Sequence, residues 1–75
     1  MRRLGWLAGL VLTLGGCVTP DQERFQAYNE DGVHLFRQAD YAAARESFQA
    51  ALALRPGDPA VLYNLGECYR HLDQL

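Results

Sequence analysis

Two glycines, Gly32 and Gly66, stand 34 residues apart, and their neighbours repeat with them: Tyr28 pairs with Leu62, and Leu35 with Tyr69. A fixed period of this length marks a repeated supersecondary unit, stacked so that each copy buries a face it cannot bury alone. The punctuation between the matched positions is helical. In Thr19-Pro20-Asp21-Gln22 an N-cap threonine precedes a proline at the first helical position and a glutamine at the third, a capping-box arrangement. A helix is expected from near Asp21 to about Gln38. Asp40 caps a second, from Tyr41 to about Leu54, which Arg55-Pro56-Gly57 stops. Asp58 caps a third, which opens on Pro59 and has Tyr69 to Leu72 in its last turn. No stretch alternates with period two, so the expected class is all-α.

This pattern resembles the tetratricopeptide repeat (TPR) family. In a first repeat, residues 25–58, Tyr28 stands where the family has tryptophan, Gly32 where it has glycine and Leu35 where it has tyrosine. Ala44 and Phe48 take the alanine and aromatic of the second helix, Ala51 its second small residue, and Pro56 the terminal proline. Asp40-Tyr41 matches the inter-helix turn. Residues 59–75 supply the first helix of a second repeat, with Leu62, Leu65, Gly66, Tyr69 and Leu72 in register. The resemblance implies TPR-like antiparallel helix hairpins, about one and a half repeats in all.

Each matched residue then has a packing task. Gly32 and Gly66 let a first helix approach the second helix of its own repeat, and Ala44 and Ala51 do the same from the other side. Phe48 and Tyr28 are expected to fill the gap between the paired helices. In the third helix, Leu62, Leu65, Tyr69 and Leu72 are expected to pack backward, leaving Val61, Cys68 and Leu75 uncovered. Asp31 replaces a family leucine and Gln38 stands where the second repeat has Leu72, so the first repeat is polar on its outer side, as suits an array's end. An uncovered third helix implies a chain truncated from a longer array, or one completed by another protein or copy; truncation is the preferred reading.

By the same resemblance, the first helices line a groove for a protein or peptide partner. Its residues are Gln26, Asn29, Glu30, Val33, Phe36 and Arg37, then Tyr63, Asn64, Glu67, Arg70 and His71. The expected partner contacts among them are Phe36, Arg37, Tyr63, Asn64, Glu67 and Arg70, a mix of aromatic and arginine side chains that suits a protein interface. Asn64 matches a position that hydrogen-bonds a peptide backbone in some TPR families. The clamp that grips C-terminal carboxylates also needs lysines; this chain has none, so that specificity is not carried over.

The N-terminus carries a second message. Met1-Arg2-Arg3 is cationic, Leu4 to Leu14 is apolar, and Gly15-Gly16 leads into Cys17, the layout of a secretory signal with a cleavage site. The apolar run is short for a bilayer span, which takes about 20 residues as a helix. Leu14-Gly15-Gly16-Cys17 resembles a bacterial lipobox, which implies cleavage of residues 1–16, lipidation of Cys17 and a tether over residues 17–24. An ordinary secretory signal and an uncleaved anchor are the other readings. Val18 is not the aspartate that retains such lipoproteins in the inner membrane, so the resemblance points to the periplasmic side of the outer membrane in a two-membrane envelope.

Without the leader's two arginines, five basic residues face nine acidic ones, a net charge near −4. No basic stripe exists, which argues against a nucleic-acid partner. If Cys17 is lipidated, Cys68 is the only thiol left and no internal disulfide forms. Residues 17–75, 59 in number, are at the lower edge of what folds alone, so self-association is a further possibility. No catalytic set is assignable: Ser47 is the only serine, and His34 and His71 lie 37 residues apart, off the repeat period. Neither a metal-ligand spacing nor a glycine-rich phosphate loop is present, and no cofactor is expected. The expected role is a membrane-anchored adaptor or scaffold of the bacterial cell envelope, in the manner of lipoproteins of pilus assembly, and not an enzyme. The alternatives are a self-associating structural lipoprotein and the N-terminal part of a longer TPR protein.

Overall fold

The computed structural model describes residues 18–74; the leader and Cys17, with the lipidation expected there, lie outside them, as does Leu75. Three helices follow one another: α1 (Pro20–Arg37), α2 (Tyr41–Leu54) and α3 (Pro59–Asp73). Their ends fall within a residue of the sequence expectation because local chemistry sets them. The Thr19 hydroxyl accepts a hydrogen bond from the Gln22 amide at 3.1 Å, the Asp40 carboxylate from Ala43 at 3.3 Å, and the Asp58 carboxylate from Val61 at 3.1 Å. Such caps satisfy an otherwise orphaned N–H and contribute about 1 kcal/mol each. Pro20 and Pro59 open α1 and α3 at positions where an amide hydrogen has no partner to lose.

The two connections are tight and differ in kind. After α1 the Ala39 amide donates to the Phe36 carbonyl and the Asp40 amide to the Leu35 carbonyl, with Ala39 at φ 64°. This is a Schellman closure with alanine at the left-handed position that glycine usually takes. After α2 the Asp58 amide donates to the Arg55 carbonyl at 3.2 Å, closing a four-residue turn with Pro56 at its second position.

The core is one cluster: Phe25, Ala44, Phe48, Ala51, Val61, Leu65 and Cys68. Helix α2 is its centre, packing against α1 on one side and α3 on the other. Gly32 earns its place in the repeat by proximity. A Cβ built on it would lie 2.6 Å from Cε1 of Phe48, inside any allowed contact, so α1 and α2 meet this closely only because no side chain is there. Phe48 is 1% exposed and Ala44 and Ala51 are fully buried, as their positions in the repeat require. Truncating a ring like that of Phe48 to alanine costs about 3–5 kcal/mol.

Three packing expectations are corrected. Tyr28 does not fill the gap between α1 and α2; it is exposed at the rim, and Phe25 is buried instead, with the Arg55 guanidinium stacked 4.1 Å from its ring centroid. Helix α3 packs backward with Val61, Leu65 and Cys68, not with Leu62 and Tyr69, which are 49% and 44% exposed. Of the expected stripe Leu65 is buried and Leu72 half-buried. The cause is register. Gly66 and Tyr69 correspond to Gly32 and Leu35, which turn toward the helix that follows them in the chain; the helix that precedes α3 meets the stripe rotated from it. Gly66, finally, makes no close approach, since its Cβ position has nothing within 4 Å.

Candidate functional site

Helices α1 and α3 are the first helices of successive repeats, and a cavity of about 100 Å³ lies between them. Val33, Phe36 and Arg37 line it from α1, Asn64 from α3, and the Phe48 ring of α2 from behind. Val33, Phe36 and Arg37 share this side because they sit at i, i+3 and i+4 of one helix. Asn64 neighbours the buried Leu65 on α3, whose packing on the core presents it.

One boundary of this region is aromatic and draws on all three helices. The rings of Tyr41 and His71 stack at 4.4 Å with an interplanar angle of 12°. Phe36 meets Tyr41 edge-on at 5.0 Å and His71 edge-on at 5.3 Å. Rings at these separations attract beyond their area of contact, so the cluster fixes α3 against the start of α2 and the end of α1.

Arg70 and Glu67 lie one turn apart on α3, with Arg70 Nη2 2.6 Å from Glu67 Oε1. The guanidinium hydrogen bonds hold the Glu67 carboxyl below the usual carboxylate range, and the carboxylate in turn raises Arg70. Arg70 Nη2 also lies 3.4 Å from His71 Nε2. Both groups face water, where such pairs contribute little to stability. Arg37 is exposed and makes no ion pair among the described residues. One turn before Val33, the Asn29 Oδ1 is shielded from solvent and has no hydrogen-bond partner among them.

Phe36, Arg37 and Asn64 of the expected contacts therefore meet around one cavity, while Glu67 and Arg70 pair with each other further along α3. Tyr63 is 69% exposed and does not line the cavity. Sequence reasoning assigned Phe48 to the core alone and missed its second surface, and it gave Tyr41 only to the turn. Ser47 and Asp31 tie α2 to α1, the serine hydroxyl donating to the carboxylate at 2.9 Å. Among the described residues no three His, Cys, Asp or Glu side chains gather as a metal site.

Paired antiparallel helices in series, with the first of each pair lining a shared groove, define a helical-repeat interaction module. A family model for the tetratricopeptide repeat matches residues 30–75, and the chain belongs to that family. Photosystem I assembly protein Ycf3 of Synechococcus is 38% identical over 52 residues, 69% of this chain and 30% of that protein. Outer dynein arm-docking complex subunit 4 of Danio rerio is 40% identical over 45 residues, 60% of this chain and 9% of that protein. The chain thus spans less than a third of either relative. No solved structure matches.

Proposed function

We propose that this chain is a lipid-anchored TPR adaptor of a bacterial cell envelope, which holds a protein or peptide partner at the membrane through the groove between α1 and α3. The cavity carries the reading. Phe36 and Val33 offer apolar walls, Arg37 is free to meet an acidic group, and Asn64 offers an amide that can both donate and accept. Anchorage rests on Cys17 and the leader before it. The two relatives, an assembly protein and a docking-complex subunit, are named for work done by contact between proteins, which favours the adaptor over a catalyst.

A photo-crosslinking amino acid in place of Arg37 is the direct test, with one in place of the exposed Glu46 on α2 as the control. In the host's envelope fraction, the Arg37 position is expected to give a discrete adduct that Phe36→Ala together with Asn64→Ala abolishes. An adduct from Glu46 alone, or none from Arg37, overturns the groove as the contact surface.

A further inference from the structure

The cavity between α1 and α3 is small and carries one cation. At about 100 Å³ it falls short of the ~150 Å³ that takes up a benzene ring, so its walls of Val33, Phe36 and Phe48 suit an aliphatic side chain rather than an aromatic one. Of the arginines among the described residues, Arg24 and Arg70 are paired with acids, Arg55 stacks on Phe25 and Arg45 lies on α2; Arg37 is the one that lines the cavity. The charge around it is negative. Glu30 stands on the same side of α1 two turns before Arg37, and Glu67 stands one turn beyond Asn64 on α3. A second carboxylate on a ligand would therefore meet acids. Asn64 is the remaining polar wall, and its amide can donate to and accept from a peptide backbone. Only an extended backbone has those groups to offer, since a helix spends them on itself.

Taking the groove as the contact surface, we propose that its partner presents an internal, extended segment with an aliphatic side chain and a single carboxylate two residues apart. The aliphatic group fills the cavity and the carboxylate meets Arg37. In an extended chain such residues lie on one side, about 6.5 Å from each other, so both can act at one cavity whose wall includes the arginine. The planar guanidinium matches a carboxylate with two parallel hydrogen bonds. Neutral residues flank the pair, because Glu30 and Glu67 repel further acids. An acidic residue at a chain terminus fits less well, since its main-chain carboxylate adds a second negative charge beside one cation.

The probe is an array of synthetic decapeptides in a serine–glycine frame, anchored through their C-termini, with leucine and glutamate two residues apart. Companion spots replace leucine by tryptophan, replace glutamate by glutamine or lysine, add a second glutamate, or expose a free C-terminus. The labelled 75-residue chain, kept in detergent micelles, is expected to be retained about tenfold more by the leucine–glutamate spot than by its glutamine counterpart. The tryptophan, double-glutamate and free-terminus spots are expected to retain less. Arg37→Gln removes the preference for glutamate, and Arg37→Glu transfers it to lysine. Both substitutions fall on an exposed side chain without an ion pair among the described residues, so neither alters melting. Retention that Asn64→Ala weakens, but that ranks glutamine with glutamate or favours tryptophan, paired acids or a free terminus, overturns the proposal and leaves the groove standing. Retention that ignores Asn64→Ala and both Arg37 variants overturns the two together. No retention on any spot overturns the motif, and the crosslink from position 37 then decides the groove by itself.

Discussion

At the scale of single residues, the two repeat glycines give opposite predictions for one substitution. Gly32→Ala places a methyl group 2.6–2.9 Å from three atoms of a buried ring that has no room to retreat. The gain in helix propensity, about 1 kcal/mol, is smaller than the cost of overpacking, about 1–3 kcal/mol, so the variant is expected to lose stability. Gly66→Ala meets nothing and keeps the propensity gain, so it is expected to stabilise by up to about 1 kcal/mol. Urea titration of both variants under one condition decides it; shifts of the same sign contradict the assigned packing. Ala39 is a second case. Its φ of 64° costs a non-glycine residue about 1–2 kcal/mol, partly offset by alanine's lower chain entropy. Ala39→Gly is therefore expected to raise the melting temperature by a few degrees, a rise that thermal unfolding by circular dichroism reads directly. Nothing in the sequence betrays that position. Glycine or asparagine advertises a left-handed residue; alanine advertises a helix.

The helices themselves were legible because their ends are written in short-range chemistry: threonine or aspartate, then an amide three residues on. Which face of α3 turns inward was not. Both Leu62–Tyr69 and Val61–Cys68 are apolar at helical spacing, and the choice between them depends on which side the neighbouring helix arrives from. The internal repeat held the answer, since Gly32 and Leu35 face a helix that comes after them. The groove was legible to the level of a helix face. Which of its residues share a cavity was not, because that depends on the crossing of α1 and α3 and on the Phe48 ring behind them. The inward turn of α3 also has a chemical consequence at Cys68. Burial raises its thiol above the ordinary range, so the folded chain keeps the proton after the unfolded chain has begun to lose it. The unfolded state then binds fewer protons, and stability falls as pH rises through the thiol range of the unfolded chain, near about 8.5. In a Cys17→Ser chain, where Cys68 is the single thiol, the urea midpoint is expected to drop between pH 7 and pH 9.5. Cys68→Ala in the same background is expected to remove that part of the drop. An identical pH dependence in the two chains places the thiol in water.

For the whole molecule, the proposed envelope role raises the question of what would keep a small acidic module at a membrane. Among the described residues no helix is long and apolar enough to cross one. The described residues offer no cationic stripe for anionic lipid headgroups either, since none of them is lysine and two of their arginines, Arg24 and Arg70, are paired with acids. On the proposed reading, residence at the bilayer rests on Cys17 and the leader. Acyl chains contribute about 0.8 kcal/mol per buried methylene, so a cysteine carrying several holds durably where one chain would exchange. Cys17→Ser is expected either to move the chain from the membrane pellet to the soluble fraction or to leave it unprocessed, heavier by its uncut leader. Mass spectrometry of the membrane fraction distinguishes these from the outcome proposed for the native sequence, a chain beginning at Cys17 and heavier than its residues by the lipid. A Cys17→Ser chain that still partitions to membranes with the same mass as the native one rules out the lipid. The 34-residue hairpin would then stand as an interaction module without an address. The two claims fail separately, because the groove between α1 and α3 is assembled wholly from residues after Cys17.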